Sequence, residues 1–98
     1  MVELLASEAR AEWLANRPDW SFDAERNALC RQCVLEDFGA ALSLMVRIGF
    51  HAERLNHHPE WSNVYNRLDI RLTTHDAGGV TRLDLALAEI IDGLLAAR

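Results

Sequence analysis

The sequence predicts an α+β fold of two layers, an antiparallel β-sheet with helices on one face, in the order α-β-β-α-β-β-α. Three observations point there. Two long segments carry apolar residues at three- and four-residue spacing, the helical period. The stretches between them alternate apolar and polar residues, the period of a half-buried strand. Short polar turns, Ala24-Glu25-Arg26-Asn27 and Gly78-Gly79, punctuate them as hairpin connections do. With 98 residues, a second core would leave each half too small to stand alone, so residues 1–98 are expected to form one domain.

The elements follow in order. Ser7 is the expected N-cap of a first helix, with Glu8 in the first turn against the helix dipole. Asn16-Arg17-Pro18 ends it, because proline disfavours α geometry in the residue before it. Trp20-Ser21-Phe22-Asp23 alternates as a strand, Ala24-Glu25-Arg26-Asn27 turns, and residues 28–35 return. Asp37 caps a long helix whose expected buried stripe is Phe38, Ala41, Leu42, Met45, Ile48, Ala52 and Leu55. Gly49 inside it is expected to mark close packing against the sheet. Pro59 forbids further helix. Ser62 to Thr74 reads as one long strand, with Val64, Asn66, Leu68, Ile70 and Leu72 on one parity. Gly78-Gly79 is a turn, and Val80 is expected to start a short return strand. Thr81-Arg82-Leu83-Asp84 has the form of a capping box. It opens a last helix with the stripe Leu83, Leu87, Ile90, Ile91, Leu94 and Leu95.

Composition excludes several functions. The net charge is −5, and the ten basic residues are all arginine and scattered. Nucleic-acid binding needs a concentrated positive face, and an anionic membrane surface likewise repels an acidic chain. No apolar run approaches the ~20 residues that cross a bilayer. The N-terminal stretch carries acids where a secretory signal is positive, so a cytoplasmic location is expected. Cys30 and Cys33 sit three apart in a strand segment. They should face opposite sides roughly 10 Å apart, beyond disulfide reach, and act as packing residues.

The chemistry concentrates in Ala52-Glu53-Arg54-Leu55-Asn56-His57-His58-Pro59-Glu60-Trp61 and in Thr73-Thr74-His75-Asp76. Imidazole exchanges protons near neutral pH. Glu53, one turn before His57, is placed to accept a hydrogen bond from it. Trp61 offers a flat wall for a planar heterocycle. Other readings stand beside this one. His-His-Pro at a helix end is often only a polar loop, and Asp84 at N3 of the last helix is often only a cap. His57, His58 and His75 could also supply three nitrogens to a metal, although no H-x-x-x-H or H-x-H pair is present.

These stretches, with Asn63-Val64-Tyr65-Asn66 and Gly79-Val80-Thr81-Arg82-Leu83-Asp84, resemble the pterin-4a-carbinolamine dehydratases, also called 4a-hydroxytetrahydrobiopterin dehydratases. The resemblance covers nearly the whole chain, including Trp20 and Asp37-Phe38. It implies the same fold and a hydro-lyase reaction, loss of water from a 4a-hydroxytetrahydropterin to give quinonoid dihydropterin, with no metal and no organic cofactor. A separate reductase then returns the pterin to aromatic amino-acid hydroxylases. By this resemblance His57 and His75 are the acid–base pair and His58 is a binding and positioning residue. Glu53 and Asp84 support the imidazoles, and Trp61 bounds the pocket. Asn56, Thr73, Thr74 and Asp76 flank the histidines and contact the pterin. Asn56 stands where the family commonly has Asp, and Asp76 where it commonly has Glu; both keep shape and polarity.

The competing class is an interaction module with a vestigial pocket, such as a dimerisation cofactor or an assembly chaperone. The intact set Glu53, His57, His58, His75 and Asp84 separates the two, since a pure binding module has no need to retain it. A homodimer or homotetramer is expected, built through sheet edges and the apolar surface of the last helix.

Overall fold

A computed structural model describes residues 2–97. The elements are α1 (Ser7–Ala15), β1 (Ser21–Asp23), β2 (Ala28–Val34), α2 (Phe38–Leu55), β3 (Glu60–Val64), β4 (Arg67–Leu72), a 3₁₀ turn (His75–Ala77) and α3 (Arg82–Ala96). The strands form an antiparallel sheet in the order β1-β2-β4-β3. The α-β-β-α-β-β-α order is as the sequence predicts, but one strand lies elsewhere. The expected long strand from Ser62 to Thr74 is a hairpin, β3 and β4, closed where Val64 pairs with Arg67. Its two-residue loop, Tyr65-Asn66, has φ 51° at Tyr65, the sign a type II′ turn needs at its first loop position. Asn63 and Asn66 build this turn. Asn63 Nδ2 donates to the carbonyls of Tyr65 and Arg67, and Asn66 Nδ2 to that of Leu35. The return strand expected at Val80 is absent among the described residues; an isolated bridge, Thr74 to Gly79, stands in its place.

Alternation sets which face each strand residue covers. Leu29, Cys33, Leu68, Ile70 and Leu72 point into the core, where they meet Leu44, Ile48, Leu87 and Ile91 from the helices. The other face is polar, with Gln32 bonded to Asp69 and Arg71 to Glu60. Cys30 and Cys33 lie on opposite faces of β2, as the strand spacing predicts. Burial is the leading cause that raises the Cys30 thiol above its ordinary pKa. Two indole N–H groups fasten the N-terminal segment to α3: Trp13 donates to Glu89 at 3.0 Å and Trp20 to Asp92 at 2.8 Å.

Several local expectations need correction. Ala6, not Ser7, caps α1; Ser7 is the first helical residue and its hydroxyl bonds Glu8. Asp37 caps α2 as expected, accepting from the Ala40 N–H. The buried residues of α2 are Ala41, Leu44, Ile48 and Ala52, so the core stripe is rotated relative to the expected one. Phe38 and Leu42 are exposed at 48% and 46%, in line with Val46 at 50% and Phe50 at 66%. A Cβ at Gly49 would meet nothing within 4 Å, so close packing does not explain that glycine. On α3, Leu87 and Ile91 are fully buried in the core. Of the apolar surface expected there, Ile90, Leu94 and Leu95 are half-buried.

The hairpin correction is testable by the sign of one substitution. Glycine inside a strand costs about 0.5–1 kcal/mol, whereas glycine at a positive-φ turn position relieves strain of similar size. Tyr65→Gly is therefore expected to be neutral or stabilising by up to ~1 kcal/mol in urea denaturation. A loss of ~1 kcal/mol or more would restore the continuous strand.

Candidate active site

Helix α2 ends in a way that aims His57 inward. Asn56 takes the left-handed conformation (φ 51°, ψ 43°), which asparagine tolerates better than most residues. The His57 N–H then bonds back to the Ala52 carbonyl at 3.0 Å, the longer bond of a Schellman ending. The reversal puts the His57 side chain beneath the chain and leaves the next one, His58, at the rim.

The 3₁₀ turn supplies the opposite wall. Thr74 precedes it, Gly78 closes it at φ 81°, and the Thr74–Gly79 bridge pins its base. Between the walls lies an open cavity of about 270 Å³ lined by Asn56, His57, His58, Thr73, Thr74, His75 and Asp76. The structure thus brings together seven of the residues singled out in the sequence.

Each imidazole is held at Nε2 by a carboxylate. His57 Nε2 meets Asp84 Oδ1 at 2.5 Å, His58 Nε2 meets Glu53 Oε1 at 2.8 Å, and His75 Nε2 meets Glu60 Oε2 at 2.8 Å. An ionised carboxylate only accepts, which assigns the N–H to Nε2 and leaves Nδ1 for a ligand. The three pairs differ in burial. The His57 and Asp84 side chains are 10% and 0% exposed, those of His58 and Glu53 57% and 80%, and those of His75 and Glu60 75% and 39%. Exposed pairs contribute at most ~1 kcal/mol, whereas breaking a buried one costs several. His57 is the fixed point of the site.

Asp84 holds it through a closed set of hydrogen bonds. Its Oδ2 accepts from the Thr81 N–H at 2.8 Å and from the Thr74 hydroxyl at 2.9 Å. The Thr81 hydroxyl lies 2.7 Å from that of Thr74, and it accepts from the Leu83 N–H. Thr74 spends its proton on Asp84, so the Thr81 proton points at Thr74. Asp84 is thus both the N3 member of the α3 capping box and the anchor of His57.

Three expectations change. Glu53 supports His58, not His57, because the left-handed turn at Asn56 carries His57 away from the exposed face of α2 that bears Glu53. Trp61 packs on the core opposite Ile70 and is not among the residues lining the cavity. Strand alternation explains this, since Glu60 faces the His75 side and the next residue must face the helices. Thr74, though at the cavity wall, is buried, with its hydroxyl directed at Asp84. Glu60 was missed as a site residue. The signal was its place at the mouth of a strand, in line with Arg71 across the hairpin. Arg71 Nε donates to Glu60 Oε1 at 2.8 Å. That bond, then the one to His75, holds the Glu60 carboxyl below its ordinary pKa. Among the described residues no group of three or more His, Cys, Asp or Glu side chains converges as a metal site would.

Residues 3–94 match the family model described as pterin 4 alpha carbinolamine dehydratase. A protein of Rhizorhabdus wittichii named "Putative pterin-4-alpha-carbinolamine dehydratase" is 50% identical over 93 residues, covering 95% of this chain and 96% of its own. One of Burkholderia orbicola with the same name is 47% identical over 96 residues, covering 98% and 94%. The crystal structure of a transcriptional coactivator/pterin dehydratase from Brucella melitensis superposes with a TM-score of 0.87 at 37% identity, covering 91% of this chain and 95% of that one. The chain belongs to the pterin 4 alpha carbinolamine dehydratase family.

Proposed function

We propose that this member of the family dehydrates a 4a-hydroxytetrahydropterin to the quinonoid dihydropterin by acid–base catalysis at its histidines. The observation that carries the reading is the set of three imidazoles around one cavity, each held at Nε2 by its own carboxylate. In the reaction the bond between C4a and its hydroxyl oxygen breaks. The oxygen takes a proton and leaves as water, while a ring nitrogen loses its proton and its electron pair forms the new C=N bond. One group must give a proton and another must accept one. His57 and His75, on opposite walls of the cavity, are the pair assigned to these steps, each through Nδ1. His58 binds and positions the pterin from the rim, with Asn56, Thr73 and Asp76 as polar contacts. By the family resemblance the chemistry runs on imidazoles without metal or organic cofactor. The reading includes a cytoplasmic location and, by the family resemblance, a part in recycling the cofactor of an aromatic amino-acid hydroxylase.

The test is a spectrophotometric assay of quinonoid dihydropterin formation. His57→Ala and His75→Ala should each lower kcat toward the uncatalysed floor, within the ~10²–10⁴-fold range of general acid–base groups. His58→Ala should act mainly on KM. A chelator should leave the wild-type rate unchanged. If His58→Ala lowered kcat most at constant KM, or zinc restored a chelated enzyme, the assignment would be wrong.

The reading includes a homo-oligomer, with the interface on α2 rather than α3. Phe38, Leu42, Val46 and Phe50 step by four residues along the exposed side of α2, forming the i±4 ridge that packs against a like ridge at about −50°. An antiparallel second copy fits, because a two-fold axis sets the same apolar row against itself. Light scattering should give a multiple of the chain mass, and Phe50→Glu should reduce it to the monomer while the fold is kept. A wild-type monomer at micromolar concentration would refute this interface. The alternative, a protein-binding module, draws on the same ridge and on the coactivator wording of the Brucella relative. It predicts no turnover.

A further inference from the structure

We propose that Glu60 is a positioning residue that acts through His75, holding the imidazole by Nε2–H so that Nδ1 is the nitrogen exchanging a proton with the substrate. This rests on the reading of His75 as half of the acid–base pair and assigns the residue that makes it competent.

The argument begins with exposure. His75 sits on a short 3₁₀ turn with its side chain 75% exposed. An imidazole so placed samples several rotamers, and a single exposed ion pair orders a flexible partner poorly. Glu60 is different because it is itself held. It is the first residue of β3, paired across the sheet with Arg71 of β4. Its two oxygens are divided: Oε1 takes Arg71 Nε at 2.8 Å and Oε2 takes His75 Nε2 at 2.8 Å. A carboxylate gripped on one oxygen by a neighbouring strand has lost its rotamer freedom already, so ordering the ring adds little further entropy. The Arg71 bond also keeps Glu60 an ionised acceptor, so its bond to His75 takes the proton of Nε2. The hairpin thus acts as a rigid mount. It carries the orientation of the sheet through Arg71 and Glu60 to a ring on a solvent-exposed turn, as Asp84 does for His57 from the interior.

The experiment combines kinetics with a measurement that needs no turnover. In the dehydratase assay Glu60→Ala should lower kcat about tenfold, part of the range available to an acid–base group, with KM changed less than about twofold. Glu60→Gln, which keeps an acceptor oxygen, should recover part of the loss. The double variant Glu60→Ala/His75→Ala should be no slower than His75→Ala, because the two residues form one unit. In parallel, NMR relaxation of the His75 ring should report an ordered imidazole in the wild type and a mobile one in Glu60→Ala. The proposal is overturned if Glu60→Ala keeps its kcat, if the double variant loses a further factor of about ten, or if the ring is equally mobile with and without the carboxylate. A wild-type protein without turnover would sink the dehydration reading alone, and the ring measurement would still decide on Glu60.

Discussion

A carboxylate with no exposed surface, Asp84, ties the site to the fold. Removing an ionisable group from water is costly unless its oxygens find donors. Asp84 finds three: the Thr81 amide, the Thr74 hydroxyl and the His57 ring. These donors come from the start of α3, the segment after β4 and the segment after α2. The carboxylate therefore fastens three chain segments at one point, and that point is where the cavity begins. The capping box that starts α3 and the anchor that orients His57 are the same side chain.

Burial then grades the site from its floor to its rim. His57 is locked from below, His75 is mounted from the side by the β3–β4 hairpin through Glu60 and Arg71, and His58 leans on a carboxylate in solvent. All three use the same device, a carboxylate on Nε2, but only the first is held by desolvated partners. A group that must deliver a proton to a defined atom gains from a fixed ring, while a rim group that greets a ligand gains from freedom. The gradient matches the division of labour proposed for them.

Much of this was legible in the sequence where spacing decides it. Asp37, the Thr81–Asp84 box and the alternation of β4 read directly. The hairpin loop at Tyr65-Asn66 did not, because Val64-Tyr65-Asn66-Arg67 carries no Gly or Pro and its neighbours alternate through it. The positive φ at Tyr65 is supported by side-chain bonds from Asn63 and Asn66 that a linear pattern does not reveal. The α2 stripe was misplaced because the helix has two apolar rows. The row with Leu44 and Ile48 packs on the sheet, and the row with Phe38 and Leu42 faces out. In the site, Asp84 and the histidines were found together only by resemblance. Which carboxylate holds which imidazole depended on the left-handed residue Asn56, which turns His57 away from Glu53. Glu60 lay within the quoted motif, but its role emerges only when the sheet brings Arg71 beside it.

The most direct test of this account is Asp84→Asn, which keeps the shape of the side chain and removes its charge. The variant should fold, as judged by circular dichroism, because an amide oxygen can still cap the Thr81 N–H. Its kcat for dehydration should fall by on the order of tenfold or more, since the amide N–H₂ would then face His57 Nε2 and drive the ring to the opposite tautomer, with the proton on Nδ1. A folded Asp84→Asn protein with wild-type kcat would contradict the claim that the buried carboxylate makes His57 a catalyst.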